Sequence, residues 1–401
     1  MSKTASSKET KEKKETAPTG IGGGSIRDAL LVPTLAVITG LIIGGIVMLV
    51  SGSNPIQAYG ALFAGSFGSP SAILSGLQAY FATGDNTLLI KSIYPFTESL
   101  VTATPYIFAG LAAAIGFRAG LFNIGAEGQF FIGALCSAFI GYSIKDLPMI
   151  IHLPLALLGG ALGGAIWGMI PGYLKARFGA HEVVNTIMMN WIAFRLSDWL
   201  LKGPMQASNF RPVTPNVFAS AELPRFFEAP LRFNLGFFLA LLAAYLVYWF
   251  LFKTTLGFEV RSVGANPDAA KYAGMNIIKN FVLVMSLSGA LAGLAGTAQV
   301  LGVDHWVGQG FSAGYGFDAI ALALLGKSHP VGVVLSALLF GFLRSGATNM
   351  QSVAGIPIDI ISIIQGLVIV FIAAPAIIRW FYRIKSLKID EQTVLTRGWG
   401  K

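Results

Sequence analysis

Three side chains able to ionise or hydrogen-bond, Asn123, Glu127 and Gln129, lie in the run Gly116-Phe-Arg-Ala-Gly-Leu-Phe-Asn-Ile-Gly-Ala-Glu-Gly-Gln-Phe-Phe-Ile-Gly133, which is otherwise apolar or glycine apart from Arg118. Their setting reads as an apolar span, and the four-residue spacing predicts that Asn123 and Glu127 share one helix face. An ionisable group inside a membrane segment is costly and faces a bundle interior or a watery path. The glycines around it admit a second backbone or a substrate. The plainer reading is that these groups only hydrogen-bond neighbouring helices. Two further amides, Asn185 and Asn190, lie in Glu182-Val-Val-Asn-Thr-Ile-Met-Met-Asn-Trp191.

Three other patterns have the outline of known chemistry and lack its essentials. Ala321-Leu-Ala-Leu-Leu-Gly-Lys-Ser328 approaches a phosphate-binding loop, but the first glycine is missing and the run reads as a membrane helix. His181-Glu-Val-Val-Asn185 has Asn where a zinc motif needs its second His, and the chain holds only 4 His in all. Gly310-Phe-Ser-Ala-Gly314 matches a nucleophile elbow, which requires a strand-to-helix turn and an Asp/His pair. A membrane enzyme using Ser312 would have only His305 close in sequence as a base.

The elements that must position these residues are apolar helices. Of 401 residues 54% are hydrophobic and only 12% charged, about half the usual charged share of soluble domains. Such a chain takes membrane lipid as its solvent, and its 48 Gly suit close helix packing. Windows of about 20 apolar residues predict spans at 29–50, 96–117, 120–142, 150–172, 183–201, 235–252, 281–303, 318–327, 331–343 and 360–378. The fold class expected is all-α, a polytopic membrane protein of about ten transmembrane helices, some broken or re-entrant. Residues 318–327 span about 15 Å as a helix, too short for a bilayer. They are expected to form a broken helix beside a protein-lined cavity. Residues 51–95 read as an external segment with one or two surface helices, and the role of 68–95 has no assignment.

The net charge of +9 lies mainly at the flanks. Lys3, Lys8, Lys11, Lys13, Lys14 and Arg27 precede the first span; Arg379, Arg383, Lys385, Lys388, Arg397 and Lys401 follow the last. Such flanks face the cytoplasm, so residues 1–28 and 381–401 are expected as cytoplasmic tails around a permease-like domain of 29–380, with both termini inside. No soluble basic domain exists to bind nucleic acid. The single cysteine, Cys136, excludes an intrachain disulfide. Arg195 and Asp198, three apart, are expected to pair. Gly172-Tyr-Leu-Lys175 and Gly341-Phe-Leu-Arg344 each follow a Gly-containing helix and form a weak internal echo.

The same charge parity places 253–280 in the cytoplasm. Within it, Asn266 is a credible cap for a short helix over 268–272, with Pro267 in its first turn and Gly274 ending it. A short helix between two spans makes a docking knob for a cytoplasmic partner.

Together these stretches resemble the membrane subunits of ATP-binding-cassette importers, in the group that carries simple sugars, branched-chain amino acids and nucleosides. Gly120-Leu-Phe-Asn-Ile-Gly-Ala-Glu-Gly-Gln129 and Glu182–Trp191 are similar to the nucleoside branch, whose importers work with a basic membrane protein; the Gly257–Gly274 stretch is similar to the family's ATPase-contacting loop. The likeness covers about 29–380. It implies a permease in the cell membrane, paired with a second permease or a copy of itself. It implies two cytoplasmic ATPases beneath, a lipid-anchored substrate-binding protein outside, and no catalysis or cofactor in this chain, ATP being used by the partners. Gly257, Glu259, Arg261, Gly264, Asn266, Pro267, Ala270 and Gly274 then fall in the coupling loop. Asn123, Glu127, Gln129, Asn185 and Asn190 would line the path, where amides that both donate and accept suit bases and riboses. Trp191 would stack on a base or anchor the interface. The rival reading is a carrier driven by a proton or sodium gradient, with Glu127 and Asp318 as coupling carboxylates and no need of a docking loop.

Overall fold

The computed structural model describes residues 26–207, 211–357, 359–374, 377–378 and 381–383. Most of the two expected tails, 1–25 and 384–401, lies outside the described residues. Among the described residues there are fourteen α-helices. They are α1 (Ile26–Val50), α2 (Pro55–Phe67), α3 (Pro70–Thr83), α4 (Thr87–Arg118), α5 (Ala126–Ser143), α6 (Met149–Phe178) and α7 (Glu182–Lys202). After the 203–235 loop come α8 (Gly236–Lys253), α9 (Thr255–Ala265), α10 (Pro267–Tyr272), α11 (Ile277–Gln299), α12 (Tyr315–Leu325), α13 (Pro330–Ala354) and α14 (Asp359–Ala373). Five helices, α4, α6, α8, α11 with its π-helical extension Val300–Asp304, and α13, are long and apolar enough to cross a membrane. The other expected spans fall on α1, α5, α7, α12 and α14, and the architecture is that of an all-α polytopic membrane protein.

α4 is the central element, almost wholly buried along its apolar window. Its 32 residues make about 48 Å of helix against a hydrocarbon core of about 30 Å. The expected span 96–117 therefore starts too late, because the insert continues it: α3 lies along the first turns of α4, where a Cβ on Gly76 would sit 2.8 Å from Leu89 Cα. α2 is not a surface helix. It buries Ala58, Ala61, Leu62, Gly65 and Ser66, and Ser66 bonds both Leu62 and Phe342 carbonyls.

Asn123 and Glu127 do not share a helix face, against expectation. Gly120 adopts φ +70°, a conformation that glycine takes without penalty, and the Leu121 N–H turns back to the Gly116 carbonyl at 2.9 Å. The chain then runs non-helically through Asn123, and helix resumes only at Ala126. The break expected near 318–327 is present. α12 has 11 residues and starts after Gly310 and Gly314, both at positive φ. The internal echo does not hold, since Gly341–Arg344 lies inside α13 while Gly172–Lys175 closes α6.

α6 and α11 pack antiparallel along a glycine seam. Gly160, Gly164 and Gly168 recur every four residues on α6, and Gly289 and Gly293 face them on α11. A Cβ on Gly164 would run into the Gly289 carbonyl and lie 2.8 Å from Gly293 Cα; one on Gly133 of α5 would run into Gly293. Lipid supplies no hydrophobic drive between helices, so backbone approach at small residues is what holds them. The antiparallel pairing also sets Lys175 and Arg177, at the end of α6, beside the start of α11. Arg118 at the end of α4 reaches Lys327 and Ser328 after α12. The basic helix ends thus gather at one end of the bundle. α1 and α14 run antiparallel through Gly40 against Val368 and Gly44 against Ile364, and the Tyr382 hydroxyl lies 3.0 Å from Thr39 Oγ1 midway along α1.

Gly164→Leu is expected to destabilise the protein by at least the 1–3 kcal/mol or so of an overpacked core, seen as a lower unfolding temperature in detergent. Gly60→Ala within α2, where an added Cβ meets nothing within 4 Å, is expected not to lower it, since Ala favours helix over Gly.

Candidate functional site

A helix leaves its first N–H groups without intrahelical partners. α5 and α12 both begin inside the bundle, where water cannot satisfy them, and neither has a side-chain cap from its own N-terminal neighbour. Both are capped from elsewhere in the chain. Glu127 accepts from the Gly316 N–H of α12 through Oε2 at 2.7 Å and from the Ser312 hydroxyl through Oε1 at 2.5 Å. Asn190 of α7 accepts from the Gly128 N–H at 2.8 Å and donates to the Ile124 carbonyl at 2.9 Å. A Cβ on Gly316 would collide with the Glu127 backbone, so the two broken helices meet there directly.

The remaining polar residues of the first run form a closed set. The amides of Asn123 and Gln129 pair reciprocally, at 2.8 and 3.3 Å. Asn123 also donates to Ser288 at 2.8 Å and accepts from the Gly125 N–H, and Ser288 donates to the Ala112 carbonyl. Asn123, Glu127, Gln129 and Asn190 are all buried. Asn185 lies near the start of α7, half-buried, its Nδ2 without a hydrogen-bond partner among the described residues.

Of the expected path residues, Glu127 alone borders the cavity of about 280 Å³ formed with Phe131, Phe194, Ser197, Asp198, Leu201, Gln309, Gly310 and Ser312. This is close to the lower end of small-molecule pockets, roughly 300 Å³. Phe131 and Phe194 meet edge-to-face at 5.2 Å. Trp191 is exposed and touches the cavity only through Phe194. Asp198 lies 3.9 Å from Arg195, as expected, yet its closer partner is Gln309, whose amide donates at 2.8 Å. Ser312 was legible as a polar residue but for the wrong chemistry: it precedes a helix without a strand and serves as a donor to Glu127. Tyr106 and Arg344 gave no signal of their own. They join α12 through Asp318, which accepts from the Tyr106 hydroxyl at 2.9 Å, while Arg344 donates to that hydroxyl at 3.0 Å and to the Ala313 carbonyl at 3.0 Å.

The 253–280 stretch folds as two short helices at the basic end. Thr254 caps α9 and Asn266 caps α10, with Asn266 accepting from the Ala269 N–H at 3.0 Å and Pro267 in the first turn. Gly274 follows at φ +83°. Ala270 turns inward, and Tyr272 is fully exposed. Gly257 lets α9 fold back on α8, and Gly264 lies against the Arg118 and Ala119 backbone. Glu259 accepts from Asn280 at 3.1 Å, and Arg261 lies over the Phe252 ring at 5.2 Å. α10 is therefore an exposed knob on a base packed into the bundle.

The family described as branched-chain amino acid transport system, permease component, matches residues 96–373. The chain belongs to this family. It is a membrane transport permease and not an enzyme. The permease is 41% identical over 356 residues to a guanosine ABC transporter permease, NupP, of Bacillus subtilis, covering 88% of this chain and 95% of that one. It is 34% identical over 374 residues to a nucleoside ABC transporter permease, NupB, of Lactococcus lactis, covering 91% and 96%. It is 33% identical over 354 residues to a glucose ABC transporter permease of Haloferax volcanii, covering 85% and 86%. No solved structure matches this permease.

Asn190→Ala removes both bonds of the α5 cap and leaves the Gly128 N–H buried and unpaired, a cost of about 1–3 kcal/mol. The expected outcome is a lower unfolding temperature in detergent, with the capacity to bind partner subunits kept.

Proposed function

We propose that this permease is the membrane subunit of an ATP-driven importer in the cell membrane and that it carries nucleosides. It would pair with a second permease, rest on two cytoplasmic ATPases, and receive substrate from an extracytoplasmic binding lipoprotein. The observation that carries the reading is the capped, exposed α10 on its α9 base: an element that buries only Ala270 and stands where a cytoplasmic partner can press on it. The similar guanosine and nucleoside permeases supply the substrate class.

The cavity chemistry supports the substrate class. The Ser197 and Ser312 hydroxyls and the Gln309 amide donate within the protein, and the carboxylates of Glu127 and Asp198 border the cavity. Such a wall takes neutral, donor-rich solutes, as riboses and aminated bases are, and opposes anions. Phe131 and Phe194 offer faces for a planar ring. In this reading Glu127 stands on the path. Asn123, Gln129 and Asn190 hold the path's broken helices in place, and Asn185 lies nearer its cytoplasmic side.

Purification of the tagged chain from its native membrane is expected to bring an ATPase and a second permease with it, and scrambling 257–274 is expected to remove the ATPase. Absence of any ATPase from the unaltered sample would favour the gradient-driven carrier. Glu127→Ala is expected to reduce guanosine uptake without releasing the ATPase; normal uptake would remove Glu127 from the path.

A further inference from the structure

α12 is held at both ends by charges that match its dipole. A helix carries partial positive charge at its N-terminus and negative at its C-terminus. At the start, the Glu127 carboxylate takes the Gly316 N–H. At the far end, Arg118 donates from Nε to the Ser328 carbonyl at 2.9 Å and from Nη2 to the Lys327 carbonyl at 3.3 Å. These two residues turn the chain from α12 into α13. Both hold positive φ, +52° and +50°, a conformation that costs a residue with a Cβ and persists only where surroundings enforce it.

Arg118 is also where α9 arrives. Its guanidinium lies over the Phe252 ring at 5.6 Å, and Arg261 of α9 lies over the same ring at 5.2 Å. The two cations repel, and the ring's negative face holds both. His329, immediately after the strained turn, packs against Phe252 at 5.4 Å. Gly264 of α9 abuts the backbone of Arg118 and Ala119, with Gly120 opposite it. A displacement of α9 therefore bears on Arg118 by two routes, through the Phe252 ring and through the Gly264 contact.

We propose that α12 is the rod that carries motion from the ATPase side to the cavity, and that Arg118 and Phe252 are the positioning residues coupling it to α9. Glu127 and Ser312 are at its other end, and both line the cavity. The rod is 11 residues long, about 16 Å, rigid, and gripped at each end by a side chain from a different helix. Pushing α9 toward the bundle shifts the Arg118 grip, moves the Lys327–Ser328 turn, and translates α12 along its axis. The Gly316 N–H then leaves or tightens on Glu127, and the cavity wall changes shape. Substrate that binds one arrangement better biases the same equilibrium from the other side. The proposal rests on the reading of α9 and α10 as the ATPase-docking element.

The test measures guanosine uptake and ATP hydrolysis by the co-purified complex carrying Arg118→Gln, Arg118→Lys or Phe252→Leu. Phe252→Leu stays apolar and removes the ring alone, so it bears on the proposal even if Arg118→Gln fails to accumulate. The expected result is that the ATPase still co-purifies, basal hydrolysis persists, and uptake per ATP hydrolysed falls about tenfold, within the roughly 5–150-fold range of coupling between sites. Stimulation of hydrolysis by substrate is expected to fall with it, a change that a merely structural role would not produce. Arg118→Lys, which keeps the cation without the fork, is expected to lie between. An uptake-to-hydrolysis ratio equal to the unaltered complex in Phe252→Leu, or in Arg118→Gln with ATPase bound, would overturn the proposal. Failure of any ATPase to co-purify with the unaltered chain would instead overturn the importer reading beneath it.

Discussion

A helix that begins inside a membrane protein exposes N–H groups that lipid cannot satisfy, and this constraint organises the centre of the structure. Each unsatisfied group costs several kcal/mol in hydrocarbon. α5 and α12 both begin in the interior, so the chain must deliver an acceptor to each. Glu127 and Asn190 are those acceptors. Asn123 and Gln129 hold the segment before α5 by a reciprocal amide pair. The polar groups in this apolar stretch thus perform two kinds of work: Glu127 faces both a helix end and the cavity, and the others secure backbone.

The helices around this centre must come close without side chains between them. The α6–α11 seam achieves this with glycine on both sides, and α5 enters the same seam at Gly133. Close packing of this kind, along helices of 18 to 30 residues, yields a stiff scaffold. α12 differs. It is short, bounded at its start by Gly310 and Gly314 with positive φ and at its end by the Lys327–Ser328 turn. It is gripped at its ends by Glu127 and Arg118, in addition to its packing against α4. A stiff frame enclosing one short, end-held helix suits a transporter, which must keep its shape and still alternate.

Similarity at 41% and 34% identity to guanosine and nucleoside permeases, and at 33% to a glucose permease, sets the substrate question within a narrow chemical range. The shared property of those cargoes is neutral charge with many hydroxyl donors.

Much of this was legible from sequence. Apolar windows and Gly content establish an all-α membrane protein, because hydrocarbon admits helices and refuses charge. The Asn266–Pro267 cap predicts α10 to within one residue, since capping is local chemistry. The shortness of 318–327 predicts a broken helix on length alone. The placement of Asn123 was not legible: a Gly at φ +70° between two apolar runs reads as continuous helix until the backbone is seen to turn. Nor was the role of Ser312 or Arg118, whose partners are 185 and about 210 residues away. Sequence by itself determined the main apolar helices, the Asn266 cap of α10, and that polar groups had to be paired inside. Only the tertiary structure decided which partner each would find. Pairing inside lipid depends on which helix ends meet, and that is settled by long-range packing at glycine contacts, not by neighbours in the chain.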